Sequence, residues 1–230
     1  MANVDSYGQL VMQSSQIVPL ANTALTEATE DEIQTDANFV GAASPAGTFA
    51  TQTLNNPRCV AAGISAENDV TYAYIRSAGK IKAGLPVSGL SSGQGLPGSL
   101  PYPVTLVSGD SVIVMANAAT DREIGLTVAT TSGEYHCFSV TPAGGGEHEL
   151  ISVLTGQGIG ETLQGRSVSF AFAMGGNNAA NFSSPVYFLI GSGTPVGSVT
   201  PNDPAVDTGT FQVCRAQIQL NTRVVVRTDA

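Results

Sequence analysis

The chain has 230 residues, of which 42% are hydrophobic and only 12% charged, and a formal net charge of −9. That charged fraction is about half of the roughly 25% usual for a globular domain, so the exposed surface is either built from Gly, Ser, Thr, Asn, Gln and Ala or covered by neighbouring subunits. Nine Lys and Arg stand against 18 Asp and Glu, with lysine only at Lys80 and Lys82; counterion release from a phosphate backbone needs clustered cations, and direct nucleic-acid binding is not expected.

The length suits a single β-sandwich or barrel. No basic stretch leads into an apolar one at the start, and no apolar run reaches the roughly 18 residues of a membrane-spanning helix. The expectation is a chain neither exported by the usual signal nor crossing a membrane. Cys59, Cys137 and Cys214 are far apart and flanked by apolar residues, so they read as small buried hydrophobes rather than as a disulfide or metal set.

Residues 1–47 read as an amino-terminal arm that includes an acidic segment. Glu27, Glu30, Asp31, Glu32 and Asp36 cluster there, and Thr29-x-x-Glu32 has capping-box spacing. Too few apolar residues accompany them for a core-facing helix, so 23–38 is expected to be a short surface helix or a loop. Residues 48–230 read as one all-β domain, a sandwich or jelly-roll barrel with long Gly/Pro-rich loops.

The first clear strand is 70–76. After it comes an uncharged insertion, 84–103, whose Pro86, Pro97, Pro101 and Pro103 argue against regular ladders. It is expected to run over the surface or to reach a neighbour, with Leu85, Pro86, Leu90, Leu96, Pro97, Leu100, Pro101 and Tyr102 as subunit-interface candidates. Residues 110–116 are apolar on both faces, as in a central strand covered on both sides.

Strands are further expected at 124–130, 134–140 and 149–154, then a glycine-rich link through Gly156, Gly158, Gly160 and Gly165. Residues 166–174 alternate, with Val168, Phe170, Phe172 and Met174 on one face and Ser167, Ser169, Ala171 and Ala173 on the other, as in a half-buried strand with a small-residue outer face. A strand at 186–191 is followed by a break at 194–209, where Pro195, Pro201 and Pro204 surround Asp203 and Asp207. In 210–220 the apolar set passes from Phe211 and Val213 to Cys214, Ala216, Ile218 and Leu220, a parity switch that predicts a β-bulge at Val213 or Cys214. A last strand covers 223–227. About ten short strands between turn signals indicate a sandwich or barrel.

Chemistry-bearing patterns are sparse. Ser91 lies in a G-x-S-x-G match, but Gly, Ser and Pro surround it where a nucleophile elbow needs a strand and a helix. The glycine-rich link has neither dinucleotide nor Walker spacing. His136 and His148, the only histidines, lack the companions of a zinc site. Asp203 and Asp207 are the cation candidates. The sequon at Asn181 is expected to be unused. No cofactor, metal or small-molecule substrate is called for, and the chain is not expected to be an enzyme. The absence of Trp also weakens a sugar-binding platform.

The start MANVDSYGQLVMQSSQIVPLANTALTEATEDE, the uncharged SGLSSGQGLPGSLPYPVTL, the strand SVSFAFAM and the closing FQVCRAQIQLNTRVVVRT together resemble the single vertical jelly-roll major capsid proteins of tail-less icosahedral viruses, particularly those of halophilic archaea. That resemblance implies about eight core strands, assembly with copies of itself and other capsid proteins, an internal viral membrane beneath the shell, and a place in the virion after synthesis in the host cytoplasm. The segment GISAENDVTYAYIRSAGKIKAGLPV is similar to decoration proteins of tailed-phage heads. A sugar-binding β-sandwich module is the other alternative.

Overall fold

The computed structural model describes residues 52–55, 71–78, 80–87, 97–107, 109–117, 124–175, 185–191, 193–201 and 209–228, and the backbone of short strands at 23–27, 43–44 and 48–49. In chain order the strands are β1 (Thr23–Glu27), β2 (Ala43–Ser44), β3 (Thr48–Phe49), β4 (Gln52–Leu54), β5 (Thr71–Ser77), β6 (Lys80–Val87), β7 (Val104–Leu106), β8 (Ser111–Asn117) and β9 (Ile124–Thr130). There follow β10 (Tyr135–Val140), β11 (Gly146–Glu149), β12 (Ile151–Ser152), one helical turn α1 (Ile159–Thr162), β13 (Ser167–Gly175), β14 (Val186–Ile190), β15 (Thr194–Val199), β16 (Gln212–Gln217) and β17 (Thr222–Thr228).

Three main sheets result, with strand orders β1-β8-β5-β6 (front), β12-β10-β9-β13-β16 (middle) and β11-β17-β14-β15 (back), beside the small ribbons β2-β3 and β4-β7. Period-two alternation gives each strand two faces, and the middle sheet buries both of its own. Leu126, Val128, Phe138, Ala171 and Ala173 pack against Val186, Phe188, Val224 and Val226 of the back sheet. On the other side Cys137, Phe172 and Met174 pack against Tyr72 and Tyr74 of the front sheet. Strand β9 is consequently buried at all seven positions.

The pairing in the middle and back sheets is nested. β14 pairs with β15, β13 with β16 and β11 with β17, all antiparallel, as when a long hairpin is rolled into a jelly roll. In a simple roll β10 would pair next with a strand following β17. Here that place, between β10 and β13, is taken by β9, which precedes β10 in the chain. The roll is complete but its chain order is permuted.

Residues 23–27, read from the sequence as the start of a helix or loop, instead form β1 on the edge of β8; Thr-Ala-Leu-Thr-Glu carries two β-branched residues, and β8 needs a partner. Strand β8 is interior to its sheet, between β1 and β5. Both proline-rich breaks contain strands. Pro86 lies in β6 and Pro195 in β15, the outermost strands of their sheets, where a residue without an N–H is tolerated. The run expected at 149–154 is a corner. β11 belongs to the back sheet and β12 to the middle one, and Leu150 between them is fully buried with its N–H donating to Val224 O at 2.8 Å.

The small face of 166–174 is not an outer face, because Ala171 and Ala173 are completely buried against the back sheet. Nor does Val168 share a face with Phe172: the register skips Ser169 against β9, and Val168 joins Ala171 and Ala173 in the inner core. The irregularity expected in 210–220 falls in β16, where the span from Val213 to Ala216 opposes only Phe170 to Val168. Its exposed face explains the parity switch, since Val213 is 65% exposed whereas Cys214, Ala216 and Ile218 point into the core.

Candidate functional site

The β5–β6 hairpin lies across β10, and a cavity of about 130 Å³ remains between them, lined by Tyr74, Lys82, Glu134, His136, Cys137 and Ser152 among others. Gly84 makes the approach possible. A Cβ there would stand 2.5 Å from Tyr74 Cε1 and 3.2 Å from Cys137 Sγ. The cavity is smaller than the roughly 300 Å³ at which ligand pockets begin, so it suits water-sized guests.

Two of its titratable groups are held neutral. Burial pushes the Cys137 thiol up to about 12, which removes the thiolate that a nucleophile requires. Burial likewise pushes the His136 imidazole down to about 4. About a third of its side chain is exposed, 31%, yet Nε2 itself is covered and has no hydrogen-bond partner. Glu134 Oε2, 3.9 Å away, is engaged by Arg166 and by Ser132 Oγ. A neutral imidazole nitrogen can accept or donate one hydrogen bond here.

Above the cavity Lys82 and Asp110 brace the front sheet. The register gives β6 one extra residue, Lys82, between Ile81 opposite Arg76 and Ala83 opposite Ile75. A bulge of this kind re-aims a side chain, and Lys82 Nζ reaches Asp110 Oδ2 at 3.1 Å and also donates to Thr105 O. The same carboxylate oxygen accepts from the Val107 N–H at 3.0 Å. Burial alone would raise the Asp110 pKa; hydrogen bonds from Ser77, the Val107 N–H and Lys82, with the Lys82 charge, outweigh it and hold the carboxyl below its ordinary range.

A second brace ties down residues 97–103. The Tyr135 hydroxyl donates to Tyr102 O at 2.6 Å and accepts from the Tyr102 N–H at 2.8 Å. Burial pushes that phenol up to about 12. The Tyr102 hydroxyl meets Ser169 Oγ at 3.0 Å, its ring packs edge-on against Phe170, and Gly98 donates to Gly209 O at 2.9 Å.

These contacts correct the interface candidates. Leu85 is fully buried in the chain's own core, Leu100 is 6% exposed, and Pro86 and Pro97 are buried too. None of the four presents its side chain to a neighbour, because each is covered by its own chain. Pro101 and Tyr102 are half-buried. Leu90, Leu96, Asp203, Asp207, Ser91 and Cys59 lie outside the described residues.

The glycine-rich link serves packing. A Cβ on Gly160 would come within 2.2 Å of Leu220 O and 2.7 Å of Thr222 O, so only glycine lets α1 seat Ile159 and Leu163 in the core. His148 Nε2 bonds Gly144 O at 3.0 Å and Thr228 Oγ1 at 3.1 Å, closing the turn before β11. Cys137 and Cys214 are buried free thiols. Among the described residues no group of three or more His, Cys, Asp or Glu is placed to hold a metal ion, and no helix is long and apolar enough to cross a membrane.

The braces escaped the sequence reading, although one signal was available: Lys82 is one of two lysines and interrupts an otherwise apolar run. These features define an all-β sandwich whose layers meet through apolar clusters and whose described polar groups brace individual strands and loops. Compared with family models, with curated proteins and with solved structures, the chain matches none.

Proposed function

We propose that the chain is a structural protein that assembles with copies of itself, and with other coat components, into a viral capsid shell. The observation that carries this reading is the nested pairing of β11 with β17, β13 with β16 and β14 with β15, an architecture that capsid proteins share with lectins and cupins. The resemblance of the sequence to single jelly-roll capsid proteins selects among those uses. A charged fraction of 12% supports the same choice, because a surface so poor in charge is suited to being covered. On this reading the protein belongs to the virion, over an internal membrane, and needs no cofactor.

Size-exclusion chromatography with light scattering across a range of salt concentrations, followed by electron microscopy of any high-mass fraction, tests it. Regular oligomers or closed particles of the purified chain are expected. A monomer at every concentration and salt would overturn the proposal.

A further inference from the structure

Between the β5–β6 hairpin and β10 lies the cavity of about 130 Å³. At the roughly 30 Å³ that a water molecule takes up in the liquid, it has room for about four. A cavity of this size stays dry when its walls are wholly apolar, and holds water when polar groups in the wall have no partner in the protein. The wall here is mixed, with Ile81 and Leu154 beside Lys82, Glu134, His136 and Ser152.

Some of the polar lining groups are already engaged. The Tyr135 hydroxyl holds the Tyr102 backbone, and the Cys137 thiol meets Thr127 Oγ1 at 3.4 Å. Others are engaged only in part. An ammonium has three N–H donors, of which Lys82 directs one to Asp110 Oδ2 and one to Thr105 O. A carboxylate has about four acceptor positions, and Glu134 offers its own to Arg166 and Ser132 with room for another. Ser152 Oγ accepts the Thr155 N–H at 3.3 Å and keeps its own proton to donate. His136 Nε2 has no partner in the protein although it is covered. Glu134 Oε2 stands 3.9 Å from it, beyond direct hydrogen-bond reach but at a separation that one water, bonded to both, closes.

From this set of open positions we infer that the cavity is a binding site for a small cluster of ordered water, anchored between His136 Nε2 and Glu134 Oε2 and reaching Lys82 Nζ across the interface. The cluster is a third brace, made of solvent rather than protein, and it joins β10 to the front hairpin where the apolar packing is incomplete. It also sets what the cavity admits. Small hydrogen-bonding guests can replace members of the cluster, whereas an apolar guest of the same size would strand the imidazole nitrogen and is refused. The inference does not rest on the shell reading.

The test compares the full-length wild type with His136→Leu at neutral pH, in whatever state of assembly each adopts. Solid-state NMR of wild type carrying isotope-labelled histidine should show magnetisation passing to His136 Nε2 from water that exchanges slowly with the bulk. Dissolved xenon, an apolar probe, should leave the wild-type Ile81 and Leu154 resonances unmoved. In His136→Leu, which removes the anchor, xenon should enter and shift those resonances. Xenon entry into the wild type, or the absence of slowly exchanging water at Nε2, overturns the inference. Continued exclusion of xenon from a folded His136→Leu overturns it too, since the water would then be held without the imidazole. Should the variant fail to fold, the two wild-type measurements decide alone.

Discussion

The middle sheet has two faces, and they are packed by different means. Toward the back sheet the contact is a continuous apolar layer in which Phe138 and Phe188 are fully buried and Ala171 and Ala173 let the sheets close together. Toward the front sheet it mixes Tyr72, Tyr74, Cys137 and Phe172 with a cavity and a covered, unpartnered imidazole nitrogen. Dense apolar packing gives stability and a single geometry. A polar, imperfectly filled layer gives less of both. The back interface is thus the denser, wholly apolar core, and the front interface is the looser, partly polar one.

The largest expected contrast comes from two fully buried phenylalanines. Phe188→Ala should cost about 3–5 kcal/mol and lower the stability of the whole fold, whereas Phe172→Ala, beside an existing cavity, should fall at about 3 kcal/mol or below. Urea unfolding of both variants measures this; equal losses would mean that the two interfaces are energetically alike. Next in size is Asp110→Ala, which strands Lys82 and the Val107 N–H at a cost of about 1–3 kcal/mol. Hydrogen exchange should then accelerate in β5, β6 and β8 while β9, β13, β14 and β17 keep their protection.

Tyr135→Phe removes both hydrogen bonds to the Tyr102 backbone and should cost about 1–2 kcal/mol, with faster proteolysis at 97–103 as its local signature. A further effect concerns acid. Because the folded His136 pKa, about 4, lies below its ordinary value of 6.5, its contribution is intact above 6.5 and falls as pH drops from there toward 4, where the unfolded chain binds the extra proton. His136→Gln should flatten that part of the stability–pH profile. Asp110, with its lowered pKa, acts below the ordinary carboxylate range, so its loss comes at still lower pH.

Strands with a local signal were legible in the sequence. β9 occupies the expected 124–130, and β5, β10, β13, β14 and β17 begin and end within about two residues of their expected positions. What alternation could not disclose was the number of sheets. A strand such as β13, with aromatic residues on one face and alanines on the other, looks half-exposed until a second partner sheet is known. The proline rule misled for the same reason, since whether Pro86 and Pro195 are admissible depends on their strands being outermost, which only the pairing reveals. Four of the interface candidates, Leu85, Pro86, Pro97 and Leu100, turned out buried because an uncharged Leu/Pro/Tyr segment suits its own protein's core as well as a neighbour's surface. The Lys82–Asp110 and Tyr135–Tyr102 braces join residues 28 and 33 positions apart, beyond the reach of any local pattern.

The place taken by β9 alters how the molecule can come together. In an unpermuted roll the strand beside β10 would arrive from the far end, so the sheet could not close until the whole roll had been synthesised. Here β9 and β10 form a hairpin across a short turn, where Gly133 donates to Thr130 O at 2.9 Å. The most deeply covered strand therefore finds its first neighbour through contacts of low sequence separation, which favours rapid nucleation. β13 can then dock on a preformed template, leaving β17 to seal the opposite sheet last.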